Sequence, residues 1–317
     1  AQARWAADLD EARLAHIGNL YPSVTTTTDY RQMLDDDDTH AVVVATPADT
    51  HCKLACEAFE AGKHVFVDKP MAMTEEECKQ MVAASDKADR KLMVGHTFLF
   101  NNAVYRIKEL IDSGELGEIY YVYVNRVNLG LFREDCNVVW DLAPHDIAIL
   151  NWLLGSTPDR LTAVGHSYVQ RSIEDVAFIN LQYPGNVMAH LHVSWLDPNK
   201  VRTITVVGSK KMLVYDDVSN TEKLRVYDKG VEIPPHYDTF GEFQLSYRYG
   251  DIVLPRIEDS EPLRNEALHF VEAIRNGATL RSDGVSGLEV VRALEAACDS
   301  IRDGGTTRVL GGAGVGG

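Results

Sequence analysis

The pattern of apolar and polar positions changes character near residue 100. Before it, short apolar runs alternate with segments whose apolar residues recur every three or four positions, the rhythm of strands and amphipathic helices. Residues 3–10 (ARWAADLD) read as a strand ending in acids, and 11–21 carries Leu14, Ile17 and Leu20 at helical spacing. Residues 24–26 predict a short strand and 29–35 a short acid-capped helix. HAVVVA (40–45) predicts a strand apolar enough to be buried on both faces. A helix over 52–61 closed by Gly62 follows, then a buried strand at Val65-Phe66-Val67, a helix over 75–90 and the strand KLMVGH. Strands alternating with helices imply a parallel, doubly wound sheet.

Beyond residue 100 the period becomes two. A helix over 102–113 leads through Gly114 and Gly117 into the alternating run EIYYVYVNRVN, and further alternating runs follow as far as EKLRVYD, with Pro184-Gly185-Asn186 as a hairpin turn. Alternation of this kind marks an antiparallel sheet with one solvated face, a face that often becomes an oligomer interface. Helices return over 263–276 and 284–302. The expected fold class is therefore α/β: an incomplete Rossmann-like parallel-sheet domain over 1–100, then an α+β domain with a large, mostly antiparallel, open-faced sheet over 101–310. A glycine-rich tail over 311–317 follows. That tail has the spacing G-x-G-x-x-G, but the sequence shows no helix after it to present amides to a phosphate.

Composition narrows the function. With 317 residues, 45% of them hydrophobic, the chain can bury cores for two domains. A formal net charge of −16 disfavours long phosphate-backbone contacts, so nucleic acid is excluded as a partner. No apolar run reaches membrane-span length, and no signal-peptide pattern precedes the first strand. The five cysteines are odd in number and scattered, and Cys52 and Cys56 have no second pair to complete a zinc site. They read as free thiols of a reducing cytoplasm. No metal site is expected.

Two segments carry the chemistry. Asp68-Lys69-Pro70 ends the strand HVFVD, and in an open parallel sheet ligands bind outside the carboxyl ends of the strands. A lysine there, stiffened by proline, is held over the crevice, although a surface lysine at a strand end is the plainer alternative. The second segment is VVWDLAPHDIAILNWLLG (138–155). Asp141 and His145 are four apart on a predicted helix and share a face. A carboxylate that fixes an imidazole's tautomer makes a general base. The alternative has Asp141 as a helix cap and His145 as a structural histidine. Asp146 reads as a structural or substrate-side acid.

In order along the chain, ADLD, ATPADTH, AGKHVFVDKP, WDLAPHDIAILNWLLG and EPLRNEALHFVEAIRNG resemble the Gfo/Idh/MocA family of NAD(P)-dependent sugar oxidoreductases. The family's Glu-Lys-Pro stands here as Asp68-Lys69-Pro70, and its Asp-x-x-x-His is matched by Asp141 and His145. The resemblance implies hydride transfer between nicotinamide and a secondary hydroxyl or keto group of a sugar or nucleotide-sugar. His145 would be the base, Asp141 its orienting partner and Lys69 the cation at the reacting oxygen. Asp8 would bind the adenosine ribose, favouring NAD over NADP; its alternative is a helix cap. Thr46, Pro47, His51, Asp68 and Pro70 would line the cofactor crevice.

Substrate candidates are Arg126 and Asn128, on one strand face, and Trp140 beside the dyad. Tyr123, of opposite parity, reads as core. Arg133, Asn137, Trp195 and Lys200 are loop or sheet residues that either reach a ligand or serve structure. Assembly as a homodimer or homotetramer through the antiparallel sheet is expected. The family's glycine loop is lacking, since the chain opens at what reads as the second strand, roughly 25 residues into a ~30-residue βαβ unit. Two other readings therefore stand beside the enzyme: a non-catalytic dinucleotide or sugar sensor, and an inactive fragment.

Overall fold

The computed structural model of the chain describes residues 1–232 and 246–311, so the glycines at 312–317 lie outside the described residues. The chain divides into two units, one of residues 1–95 with 266–291, the other of 96–265 with 292–317. This differs from the contiguous division that the change in periodicity suggests.

In the first unit β1 (Trp5–Ala7) is followed by α1 (Glu11–Leu20), β2 (Thr25–Thr27) and the short α2 (Arg31–Leu34). β1 and β2 pair in parallel. Next come β3 (Ala41–Val44), α3 (His51–Glu60), β4 (His64–Asp68), α4 (Glu75–Ala88) and β5 (Leu92–Gly95), whose three strands pair in parallel in that order. Local chemistry sets the helix starts. Asp10 accepts the Ala12 and Arg13 amides at the start of α1, and Thr74 and Glu77 form a reciprocal capping box at the start of α4. The core is Val65, Val67, Met93 and Val94 on the strands with Ala55, Phe59, Cys78 and Met81 on the helices.

β3 is not buried on both faces as expected: Val42 and Val44 are buried, but Val43 is 65% exposed. Among the described residues β3 pairs with β4 alone, so it is an edge strand. Residues 266–291 complete this unit through backbone and ring contacts. The Val94 amide donates to Ser282 O at 2.7 Å, and Phe270 meets Phe66 edge-on with centroids 5.7 Å apart. Gly287 permits the close approach: a Cβ there would lie 2.6 Å from Val94 Cγ2.

The second unit holds α5 (Asn102–Asp112), β6 (Ile119–Val127), α6 (Val138–Leu154), β7 (Arg160–His166), β8 (Val176–Gln182) and β9 (Met188–Ser194). β10 (Val201–Gly208), β11 (Met212–Asp216), β12 (Leu224–Glu232) and β13 (Ser246–Val253) follow. α7 (Pro262–Asn276) and α8 (Gly284–Arg302) each run from one unit's residues into the other's, and β14 (Arg308–Val309) closes the described chain. Among the described residues one nine-stranded sheet has the order β13-β12-β11-β10-β6-β9-β8-β7-β14, antiparallel everywhere except between β6 and β9. α6 packs on β9, burying Ile147, Leu150, Val122, Val124 and Leu191.

The other face is open and carries Tyr121, Tyr123, Phe178 and Met188 exposed, with Phe178 stacked on His192 at 4.4 Å. Tyr123 thus lies on the solvated face and not in the core. Tyr123 and Arg126 do lie on opposite faces, but it is the charged Arg126 that lies on the buried side.

Candidate functional site

The first group of candidate residues gathers at the carboxyl ends of the parallel strands. Asp8 follows β1. Its Oδ1 accepts the Asp10 amide at 2.9 Å, and Oδ2 stands 3.7 Å from Arg13 Nη1. Asp10, not Asp8, caps α1, and the Asp8 side chain stays partly exposed. Thr46 and Pro47, beyond β3, are exposed; the Thr46 hydroxyl bonds that of Thr50 at 2.6 Å.

At the end of β4 the Lys69 amide donates to Asp68 Oδ1 at 2.8 Å, and the Lys69–Pro70 peptide is cis. Asp68 pairs in register with Gly95, where a Cβ would lie 3.3 Å from Asp68 Oδ1, so glycine makes room for the carboxylate. His51 departs from expectation. It is 1% exposed, with Nδ1 3.0 Å from Pro70 O and Nε2 2.8 Å from Thr46 O. With both nitrogens engaged by backbone carbonyls it does not line a crevice.

The second group surrounds the first turns of α6. Asn137 is the cap: its Oδ1 accepts the Trp140 amide at 3.2 Å, while its Nδ2 donates to Glu174 Oε2 at 2.8 Å. Asp141 is therefore not needed as a cap. Its Oδ2 accepts the Trp195 indole N–H at 3.0 Å, and Arg133 Nη1 lies 3.7 Å from Oδ1. His145, one turn along the same helix, is half-buried. Phe98 meets its ring edge-on at 4.8 Å and His96 at 6.1 Å. Sequence reading missed both; their signal is position, directly after β5, where a parallel strand opens onto a crevice.

Arg126 is a correction. Its Nε and Nη2 donate to the two oxygens of Asp146, each at 2.7 Å, and the pair is buried. Such a fork leaves the guanidinium bound to protein and not to substrate. Of the two roles open to Asp146, structural or substrate-side acid, the buried pairing fits the structural one. The guanidiniums of Arg126 and Arg202 stack on Phe98 at 4.8 and 5.4 Å, so the pair supports the ring that touches His145. A small hollow lies here, lined by Phe98, Arg126, Asp146, Arg202, Tyr215 and Asp217. Trp195 is buried against Phe132 and its N–H serves Asp141, so it does not stack on a ligand. Trp140 is half-buried beside Cys298, and Asn128 is half-buried just past β6.

Titration follows burial elsewhere. The Cys52 thiol is pushed up to about 12 by burial, and Cys56 and Cys298 are raised for the same reason. These cysteines are poor nucleophiles. Among the described residues no cluster of three or more His, Cys, Asp or Glu could hold a metal ion, and no helix is long and apolar enough to cross a membrane.

Residues 5–96 match the family described as "Oxidoreductase family, NAD-binding Rossmann fold", and residues 104–214 match the GFO/IDH/MocA C-terminal domain. An uncharacterized oxidoreductase, YrbE, of Bacillus subtilis (strain 168) is 25% identical over 310 residues, 94% of this chain and 86% of the relative. The inositol 2-dehydrogenase of Rhizobium meliloti (strain 1021) is 24% identical over 315 residues, 94% and 88% of the two chains. The crystal structure of GenD2, from gentamicin A biosynthesis and in complex with NAD, superposes with a TM-score of 0.80 at 23% identity. It covers 98% of this chain and 89% of that one. The matches over residues 5–96 and 104–214 are to the two domains of one family, and the chain belongs to the Gfo/Idh/MocA family of oxidoreductases.

Proposed function

We propose that this oxidoreductase moves a hydride between NAD and a secondary hydroxyl or keto group of a sugar or nucleotide-sugar. The observation that carries the reading is the arrangement on α6. Asn137 takes over capping, Trp195 fixes one carboxylate oxygen of Asp141, and Asp141 and His145 stand four residues apart on the helix, the spacing that puts two side chains on one face. A carboxylate held in this way sets an imidazole's orientation and stabilises its protonated form. In alcohol oxidation His145 takes the hydroxyl proton while the carbinol hydrogen leaves with its electron pair. Lys69 counters the negative charge that develops on the oxygen. In the reverse direction His145 returns the proton.

The residues at the strand ends suit a dinucleotide. Asp8 presents a partly exposed carboxylate oxygen to a ribose hydroxyl pair, and Thr46, Pro47 and Asp68 stand exposed beyond β3 and at the end of β4. NAD, when bound, supplies the hydride acceptor. The name of the Rhizobium relative supports a polyhydroxylated substrate, since inositol is a cyclic polyol. Asn128 and Trp140 are the remaining substrate candidates. The open face of the nine-stranded sheet supports a homo-oligomer, and the free cysteines support a reducing cytoplasm.

The test is a panel of one cyclic polyol (myo-inositol), one free aldose (D-glucose) and one nucleotide sugar (UDP-glucose), with NAD reduction followed at 340 nm. Lys69→Ala is expected to lose about 10²–10⁴ in turnover while still quenching tryptophan fluorescence with NADH. Unchanged turnover in Lys69→Ala removes the role given to the lysine. NADH binding without turnover of any sugar favours a sensor.

A further inference from the structure

We propose that His51 is a positioning residue: its buried imidazole ties the backbone at Pro70 to that at Thr46 and so fixes the segment that presents Lys69. The inference rests on the reading of Lys69 as the group that meets the reacting oxygen. The last ladder pair between β3 and β4 is Val44 with Val67. Beyond it β3 ends while β4 continues for one residue, Asp68, paired only with Gly95 of β5, and pairing between β3 and β4 no longer sets their separation. The His51 ring lies across that opening, with Nδ1 3.0 Å from Pro70 O and Nε2 2.8 Å from Thr46 O. Both partners are carbonyl acceptors, so the ring acts as the donor. Hydrogen bonds to both carbonyls at once take the doubly protonated ring, because either neutral tautomer supplies only one N–H.

The tie is anchored at its base. His51 is the first residue of α3, and α3 is held in the core by Ala55, Ala58 and Phe59, each 2% exposed or less. Lys69 is thereby pinned on both sides. Its own amide is held by Asp68 Oδ1 at 2.8 Å, and the carbonyl of the next residue is held by His51. The contacts at Thr46–Thr50 and Asp68–Lys69 are local, whereas His51 joins two strand ends separated by more than 20 residues of sequence. A group whose nitrogens are both engaged and whose ring is 1% exposed does not contact a ligand; it sets where other groups stand.

The test uses the intact protein with His51→Phe, which keeps a ring and removes the donors, and His51→Gln, which keeps a donor. The first readout is hydrogen–deuterium exchange of the ligand-free protein in peptides covering 45–50 and 68–73. His51→Phe is expected to speed exchange in both segments, with His51→Gln between it and wild type. Faster exchange in only one segment, or in neither, overturns the tie. The second readout is a double-mutant cycle with Lys69→Ala on turnover of a positive probe among myo-inositol, D-glucose and UDP-glucose. In the Lys69 background His51→Phe is expected to lower kcat by about 10–10², the cost of a misplaced group. In the Lys69→Ala background it should cost nothing further.

An equal loss in both backgrounds overturns the inference. If His51→Phe does not fold, His51→Gln decides alone: exchange equal to wild type in its 68–73 peptide counts against the tie. Retained turnover in Lys69→Ala defeats the reading of the lysine, while the exchange result still decides whether His51 joins the two segments.

Discussion

The indole N–H of Trp195 donates to Asp141 Oδ2 at 3.0 Å, joining the end of the β9 segment to the first turn of α6. The bond is charge-assisted and its donor is buried, so both its energy and its direction matter. Trp195→Phe keeps most of the apolar area and removes the donor. It is expected to cost about 1.5–3 kcal/mol in urea unfolding and to lower kcat more than it raises KM. A variant with unchanged kcat would detach Trp195 from the Asp141–His145 couple.

Arg126 and Asp146 form a second buried pair, with two bonds of 2.7 Å. Removing one partner strands the other charge in the core. Arg126→Met is expected to lose about 3–5 kcal/mol in chemical denaturation, and the double variant Arg126→Met/Asp146→Leu to recover much of it. A loss for the double variant equal to the single one would mean that the site cannot repack. Arg126→Lys should not restore full stability, because an ammonium cannot reproduce the fork.

His64 gives stability a pH dependence whose sign can be worked out. Burial lowers its pKa, aided by Arg90 and Lys91, and its Nδ1 accepts the Lys91 amide at 2.9 Å, a role only the unprotonated nitrogen can fill. The unfolded chain therefore binds the proton more readily than the folded one. This contribution is fully present above the ordinary histidine value of about 6.5 and is lost as pH falls through the folded pKa. Melting curves from pH 8 down to pH 5 should show a fall in Tm that is shallower in His64→Phe. A slope unchanged by the substitution would assign the acid sensitivity to other groups.

The open sheet face leads to a prediction about assembly. Tyr121, Tyr123, Phe178 and Met188 are exposed along β6, β8 and β9 and carry no charge, in a chain whose formal net charge is −16. Tyr123→Asp with Met188→Asp is expected to convert the assembled species to monomer in light scattering behind a sizing column. The melting curve of the second unit should change little, because both side chains already face solvent. An unchanged mass would place the contact between copies elsewhere.

How much of this was legible in the sequence follows the range of the interactions. The helix that carries Asp141 and His145, and the strand that ends at Asp68-Lys69-Pro70, are written in patterns a few residues long. The cap was read one turn too late, at Asp141, because both residue types suit a helix start and only the structure shows that Asn137 takes the amide. What could not be read depends on partners far along the chain. The face chosen by Arg126 is decided by Asp146, twenty residues away, and without that acid a charged residue on the core side has no explanation. Trp195 is 54 residues from Asp141. The acceptors of His51 are backbone oxygens, which every residue possesses and no side-chain pattern reports. The exposure of Val43 reflects strand order, which local hydropathy does not encode.

The balanced charges around the hollow beside Phe98 bear on how such an enzyme can diversify. Each guanidinium there is met by an acid, Arg126 by Asp146 and Arg202 by Asp217 at 3.7 Å, so the scaffold behind the imidazole is electrically self-contained. The loop between β6 and α6 lies outside that scaffold, and Leu129, Leu131 and Arg133 stand exposed on it. Exposed loop positions tolerate change that a buried, charge-paired scaffold does not, so the sequence can vary there while the support of the imidazole stays as it is.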